Sequence, residues 1–334
     1  MLRTIKPKNA RVKRALAARE PKEVEDARTA IFVRSTTSTG TLNEVMKDLM
    51  ALKKPHGISF SKKNEIRPFE DPASLDFWAT KNDASLFVVA SSTKKRPNGL
   101  TFARMFDNRV MDMMEVGVQS FVPMEDFKTP KCPPGHRPMI HFASELFDTH
   151  PRFIQVKSML LDFFNGEPMD SVSLQGLGSV ISVSLAPTPP NLNLEPSLDT
   201  TEPDTTPLPL IHIRCYTVRL LASGVRTPRA ELVPMGPSLD LTLRRHQYAD
   251  EEIWKRAMKR PKLAKGDIEK GLGKKEKNME VDEMGDVRAR IHVGKQNLDK
   301  LQTRKMKGLK PSRGGTGRTM VDEEMDPVAG DGED

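Results

Sequence analysis

Two short runs of basic residues have the types and spacing that point most directly to chemistry. Six side chains make up these runs: Lys62, Lys63 and Arg67 in the first, and Lys94, Lys95 and Arg96 in the second. They flank residues 84–90, a continuous apolar segment of the kind that a central strand shows. Because loops at one end of a sheet can converge, we predict one positive patch that neutralises RNA phosphates without reading base sequence.

The same residues admit a plainer interpretation. Runs of charge are usually solvated surface, and the sequence alone favours neither alternative. Arg67 belongs to the string Arg67-Pro68-Phe69-Glu70-Asp71, which could be a structural turn with the guanidinium paired to a carboxylate. Aromatic residues make up only 5% of the chain, so we expect contacts to the backbone and shape of a folded RNA rather than to single strands.

Motifs of catalytic and cofactor-binding sites are incomplete in this sequence. The glycines at 176 and 178 lack the third glycine of a dinucleotide loop, and Leu272 stands where a phosphate loop requires lysine. The seven histidines show no metal-ligand spacing, and the two cysteines, Cys132 and Cys215, are better explained as small buried side chains than as nucleophiles. We therefore predict no enzyme, no catalytic residue, no cofactor and no metal.

The charge of the chain is divided among four segments. The total of +8 is the sum of +7 over residues 1–19, −4 over 20–254, +12 over 255–318 and −7 over 319–334. We predict a folded domain at 28–255 that carries a proline-rich insertion at 186–209, which we expect to be dispensable for folding. A basic extension at 1–27, a second at 256–318 and an acidic tail at 319–334 are predicted to be disordered, because they contain too little apolar surface to fold alone. The sequence shows no secretory signal and no membrane span, so we expect an intracellular, soluble protein.

Periodicity predicts an α/β fold for the domain. Residues 31–34 and 84–90 are predicted strands, and further strands are expected at 172–185, 210–221 and 230–243. Helices are predicted at 41–54, 72–80 and 152–164 and from Asp250 onward, the first of them with a capping box that starts at Thr41. Strands that alternate with helices are typical of α/β domains, although no internal repeat is visible in the sequence.

Several separated strings, in order along residues 28–255, resemble the Brix domain family. They are Leu52-Lys53-Lys54-Pro55-His56, Lys62-Lys63-Asn64, Ile66-Arg67-Pro68-Phe69-Glu70-Asp71, Lys81-Asn82-Asp83-Ala84-Ser85-Leu86-Phe87, Lys94-Lys95-Arg96-Pro97, Arg104-Met105-Phe106-Asp107 and residues 231–245. The resemblance implies two similar α/β halves, each like an anticodon-binding domain. It also adds Arg244 and Arg245, at the end of the last string, to the candidate RNA-binding residues.

The resemblance implies a role in assembly of the large ribosomal subunit, in the nucleus and nucleolus, without catalysis or a cofactor. The implied partners are a regulator of ribosome synthesis 1-like protein in a heterodimer, 5S rRNA with its two carrier ribosomal proteins, and large-subunit pre-rRNA, whose maturation the protein would support. No membrane is implied. We expect the heterodimer to form on the domain, where a free sheet edge or a groove beside the helix at 41–54 can accept a strand or helix.

Two other functions stay open at this point. An RNA-processing enzyme would hold Mg²⁺ with carboxylates, and the acidic residues among the basic runs are Glu70, Asp71, Asp76 and Asp83. These four show no ligand-spacing pattern. A general nucleic-acid-binding nuclear protein would act through its basic tails alone, and the extension at 256–318 could equally follow RNA or serve for nuclear targeting.

Overall fold

A computed structural model describes residues 28–259 except 168, 170, 175, 188–207 and 226, together with residues 9, 265–266, 278–281 and 287–290. Most of the predicted insertion and of the two basic extensions, and the whole acidic tail, lie outside the described residues. The described part of the extension at 256–318 includes two short paired strands, 279–281 and 287–289, and the predicted disorder of the other segments stays a prediction.

The domain combines strands of one large sheet with helices on its faces. The helices are α1 (Gly40–Lys53), α2 (Ala73–Asn82), α3 (Leu146–Thr149), α4 (Pro151–Phe163) and α5 (Glu251–Ala257). The strands are β1 (Ala30–Ser35), β2 (Gly57–Asn64), β3 (Leu86–Ser91), β4 (Gly99–Phe106), β5 (Arg109–Val122), β6 (Met139–Phe142), β7 (Ser179–Leu185), β8 (Ile211–Leu221), β9 (Arg229–Gln247), β10 (Met279–Val281) and β11 (Val287–Ala289). Strands β10 and β11 pair only with each other.

The nine-stranded sheet consists of two halves built on the same plan. Its strand order is β2-β1-β3-β4-β5-β9-β8-β7-β6. In the first half β1 runs parallel to β3, and β3, β4 and β5 follow as antiparallel neighbours. In the second half β6 runs parallel to β7, and β7, β8 and β9 follow in the same way. The predicted α/β class and the two similar halves are confirmed.

Strand β1 shows why the first half needs a helix on each face. Phe32 points into the larger apolar cluster, which includes residues of α1 and α4, and Val33 points into a smaller cluster with residues of α2. Since alternate residues of a strand face opposite sides, both faces of β1 are buried. This double burial explains the continuous apolar run that made the strand predictable.

The second half has no counterpart of β2 or α2 among the described residues. Ile211, Ile213 and Cys215 of β8 belong to the larger cluster. The alternate residue Arg214 lies on the opposite face, where its side chain is 33% exposed. One face of this half is therefore polar and accessible.

Several predicted bounds were wrong for identifiable reasons. The cap of α1 is Thr39 rather than Thr41, with its hydroxyl oxygen 3.4 Å from the amide nitrogen of Leu42, which donates to it. Strand β2 was interpreted as a loop because it is an edge strand in which most residues, Lys62 and Lys63 among them, are exposed. The strand predicted at 172–185 begins only at Ser179.

Candidate nucleic-acid interface

The predicted basic runs lie at one edge of the sheet, where the parallel strands β1, β2 and β3 end. Lys62 and Lys63 are in the last three residues of β2, in the strand itself. Lys63 lies opposite Arg34 of β1, and Arg34 lies opposite Ala90 of β3. The second run follows directly in the β3–β4 loop, residues 92–98. We call this place, with Lys62, Lys63, Arg34 and residues 94–96, the basic edge.

Arg34 is a member of the basic edge that sequence reasoning missed. It lies within an apolar run, so nothing in its neighbourhood marked it as a surface cation. Its guanidinium donates to the carbonyl oxygen of Ser61 at 2.6 Å, which ties β1 to β2 next to an irregularity in their register. Arg34 thus places a positive charge between the two lysine runs.

The loop that carries the second run is held from within and from both neighbouring elements. The Asn98 amide N–H donates to Ser92 Oγ at 3.2 Å, and Asn98 takes the left-handed conformation with φ of 49°. Its side-chain oxygen accepts from the hydroxyl of Thr39 at 3.0 Å, and its carbonyl accepts from the amide of Val118 at 2.8 Å. Lys94, Lys95 and Arg96 are exposed on this fixed loop.

The amino terminus of α1 lies at the same edge. Thr39 is its cap, and the same side chain contacts Asn98 of the β3–β4 loop. Since the first amides of a helix carry a partial positive charge, α1 adds to the positive potential of the basic edge. The edge therefore combines exposed cationic side chains with fixed backbone dipoles, which suits contact with phosphates.

Arg244 is a structural residue as well as a cation. It lies on β9, and its Nη2 donates to the carbonyl oxygen of Pro97 at 2.7 Å. Its guanidinium covers Gly117 so closely that a Cβ at position 117 would overlap it. Burial lowers the pKa of Arg244, with a further contribution from neighbouring Arg96. Arg244 thus links the loop at 92–98 to β9 through its hydrogen bond to Pro97.

Arg245 points elsewhere, although it is the next residue. Its Nε donates to Glu115 Oε2 at 2.5 Å, and its guanidinium carbon lies 4.4 Å from the centre of the Phe69 ring. The side chain is 38% exposed, whereas Glu115 is 3% exposed. Arg245 is thus a fixed but accessible cation.

Arg67 pairs with carboxylates, as one of its two interpretations predicted. Its Nη1 donates to Glu70 Oε2 at 3.1 Å, and Glu65 Oε1 lies 3.9 Å from Nη2. These two carboxylates raise the pKa of Arg67. The side chain is 66% exposed, so these ion pairs leave its charge accessible to solvent, and its contact with RNA stays a prediction.

The other titratable candidates have local structural roles. Asp71 Oδ1 accepts from the Ala73 amide at 2.9 Å at the start of α2, and Asp83 ends that helix with φ of 51°.

Burial raises the pKa of Cys215 to about 12, which keeps the thiol protonated. Within the described part of the chain, no three His, Cys, Asp or Glu side chains are grouped so as to hold a metal, and no helix there could cross a membrane.

Comparison with known proteins gives one family. The Brix domain family model matches residues 35–245. A ribosome production factor 2 homolog of Schizosaccharomyces pombe is 46% identical over 93% of this chain and 92% of that protein. The human ribosome production factor 2 homolog is 44% identical over 85% of this chain and 83% of that protein. Among solved structures, a probable ribosomal biogenesis protein from Aeropyrum pernix K1 is 12% identical and covers 67% of this chain and 100% of that chain, with a TM-score of 0.38.

Proposed function

The chain belongs to the Brix domain family of ribosome biogenesis factors, and from that premise we propose that it is a non-catalytic assembly factor for the large ribosomal subunit. In this role it recruits 5S rRNA and its two carrier ribosomal proteins to the pre-ribosome and supports maturation of the pre-rRNA. It acts in the nucleus and nucleolus, and it works as a heterodimer with a regulator of ribosome synthesis 1-like protein.

The basic edge is the observation that carries the RNA-binding part of this proposal. Three groups of cations lie at the same edge of the sheet: Lys62 and Lys63 on β2, the exposed residues 94–96, and Arg34 on β1. Elsewhere the segment 20–254 is net negative, so a cluster of cations here gives the domain one preferred side for a polyanion. Lysines on a rigid edge contact phosphates and fix the orientation of an RNA without reading its bases.

The incomplete second half supports the heterodimer. In the first half β2 extends the sheet beyond β1, and α2 buries the face that carries Val33. In the second half β6 is the last strand of the sheet, and no described helix corresponds to α2. We place the partner there: it adds a strand beside β6 and a helix over the face that carries His212 and Arg214. The basic edge belongs to the other half and stays open to RNA.

The basic extension at 256–318 adds a second, weaker RNA contact and a nuclear targeting signal. It carries more positive charge than any other segment of the chain, and phosphates attract such charge without any defined fold. Truncation after residue 255 is expected to lower RNA affinity and flatten its salt dependence, while heterodimer formation survives.

The test of the RNA-binding surface compares two variants with equal loss of charge. The edge variant is Lys62→Gln, Lys63→Gln, Lys94→Gln and Lys95→Gln. The control variant changes four cations near the opposite ends of β1, β2, β3 and β4: Arg28→Gln, Lys54→Gln, Lys81→Gln and Arg109→Gln. Affinity for 5S rRNA is measured by filter binding from 50 to 300 mM salt for the full chain with its partner.

The edge variant should make the negative slope of log affinity against log salt shallower by up to about 3. Each lost phosphate contact reduces the magnitude of this slope by about 0.7 to 0.9. The control variant should retain most of the slope. Equal losses in both variants would show that total charge alone governs binding and would overturn the assignment of the basic edge. A wild-type protein with no affinity for 5S rRNA would overturn the RNA-binding role itself.

A further inference from the structure

A β-bulge between β5 and β9 places two consecutive arginines of β9, Arg244 and Arg245, opposite one carboxylate of β5. Val116 of β5 lies opposite Leu243, and Met114 lies opposite His246. A single residue of β5, Glu115, therefore faces the pair at 244 and 245. A bulge of this kind places two residues opposite one and changes the direction of their side chains.

Glu115 is almost completely buried, and it forms a hydrogen bond with Arg245 and a longer ion pair with Arg244. Its Oε2 accepts from Arg245 Nε at 2.5 Å, and its Oε1 lies 3.9 Å from Arg244 Nη1. A buried carboxylate is stable only with such partners, so the two arginines and Glu115 specify one another. Arg244 points toward the β3–β4 loop and Arg245 toward Phe69.

The bulge leaves Arg245 as a flat, positioned and accessible group. Its guanidinium lies on the ring of Phe69 at 4.4 Å, and the ring in turn packs against the smaller apolar cluster. The hydrogen bond through Nε limits rotation of the guanidinium plane. With 38% of the side chain exposed, the group remains accessible from solvent. An immobilised guanidinium plane on an aromatic ring has the form of a stacking platform.

We propose that Arg245, supported by Phe69 and held by Glu115, stacks against a single unpaired nucleobase of the bound RNA. This deepens the proposed function, on which it rests, by naming what the RNA must offer beside the basic edge: a base displaced from its helix by a bulge or loop. Arginine planes and aromatic rings accept such bases without requiring a particular one. Arg245 is the residue that touches the base, and Glu115 is a positioning residue.

The structure also explains why few aromatic residues suffice. A platform built only from aromatic side chains would need several exposed rings, and the chain contains only 5% aromatic residues. Here one partly buried ring supports a cation, so the exposed surface of the platform is polar and soluble. Phosphates on either side of the unpaired base would meet the lysines of the basic edge.

The test uses the full chain and two RNA hairpins of equal length that differ in one position. One hairpin carries a single unpaired 2-aminopurine, and in the other this base is paired. Affinity is measured by fluorescence anisotropy, and stacking by the 2-aminopurine emission. The variants are Arg245→Lys, which keeps the charge but removes the plane, Phe69→Leu, which removes the supporting ring, and Lys94→Gln as a control for phosphate contact.

The wild-type protein should bind the hairpin with the unpaired base roughly 5- to 10-fold more tightly and quench its emission, as one stacked base implies. Arg245→Lys and Phe69→Leu should each abolish this preference and the quenching while binding to the paired hairpin stays unchanged. Lys94→Gln should weaken binding to both hairpins by the same factor.

Equal wild-type affinities for the two hairpins, without quenching, would overturn the stacking proposal and leave the basic edge intact. Equal losses on both hairpins in Arg245→Lys would likewise overturn it, since they would reveal a plain phosphate contact. If neither hairpin bound in a salt-dependent way, the proposed RNA-binding function would fail first. Thermal unfolding of both variants by circular dichroism separates loss of the platform from loss of the fold.

Discussion

Replacing Lys53 with methionine tests how a buried charge joins the two halves of the core. Lys53 is the last residue of α1 and is only 3% exposed. Its ammonium group donates to the carbonyl oxygen of Phe163 at 2.5 Å and to Asn165 Oδ1 at 3.0 Å, at the end of α4. Burial, with a further contribution from Arg28, lowers the pKa of Lys53 from 10.5 to about 8.

The lowered pKa of Lys53 determines how its contribution to the free energy of unfolding changes with pH, in both size and sign. Below pH 8 both the folded and unfolded chains carry the charge, and the folded state pays its full cost of burial. Between pH 8 and 10.5 the unfolded chain binds more protons, so the stability contribution of this residue rises with pH. Lowering the pKa of Lys53 from 10.5 to about 8 corresponds to about 3 kcal/mol between its two protonation states.

The measurement is urea unfolding of the wild-type protein and Lys53→Met at pH 7, 8, 9 and 10. Subtracting the two free energies of unfolding removes the contribution of every other titrating group. Relative to the variant, the wild-type protein should be least stable at pH 7 and gain about 2 to 3 kcal/mol by pH 10. A difference that stays constant, or that falls with rising pH, would refute the pKa and the burial argument behind it.

Three further changes test other parts of the fold. Arg104→Met leaves Asp112 buried without its cation, and urea unfolding should show that the free energy of unfolding falls by about 3 to 5 kcal/mol. The double variant Arg104→Met with Asp112→Leu should recover most of this loss, and an equal loss in the double variant would contradict this account. Thr39→Ala should cost about 1 kcal/mol through loss of the cap, while Thr41→Ala changes the free energy of unfolding by less than about half as much; a larger effect at 41 would restore the sequence-based cap. Replacing 186–209 with a short Gly-Ser loop should leave a cooperative thermal transition in circular dichroism, and loss of that transition would show that the insertion is part of the fold.

Strands buried on both faces and helices with one apolar face could be predicted from the sequence. Residues 84–90 and the helix predicted at 152–164 correspond to β3 and α4 because burial leaves a clear pattern of apolar residues. Strand β2 left no such pattern because it is an edge strand with polar residues. Strand β5 includes Asp112 and Glu115, whose burial depends on arginines of other strands, and local sequence contains no sign of those partners.

The sequence shows where the basic runs of the candidate site lie along the chain, but not which contacts Arg244 and Arg245 make. Lysines in polar strings mark a surface wherever the chain runs, so Lys62, Lys63 and residues 94–96 were identified directly. The roles of Arg244 and Arg245 depend on a bulge opposite Glu115, which exists only once β5 and β9 pair. The register between β5 and β9 therefore determines which of these arginines is accessible to RNA and which one binds the loop at 92–98.

Co-purification from cells tests the central claim most directly. The full chain and the edge variant, both tagged, are purified with their bound proteins and RNAs, and 5S rRNA is quantified against the protein partner. The wild-type chain should retain the partner, 5S rRNA and large-subunit pre-rRNA, whereas the edge variant should retain the partner but lose most of the 5S rRNA. Wild-type protein purified without 5S rRNA, or an edge variant that retains it in full, would contradict the assignment of an assembly factor that contacts RNA through the basic edge.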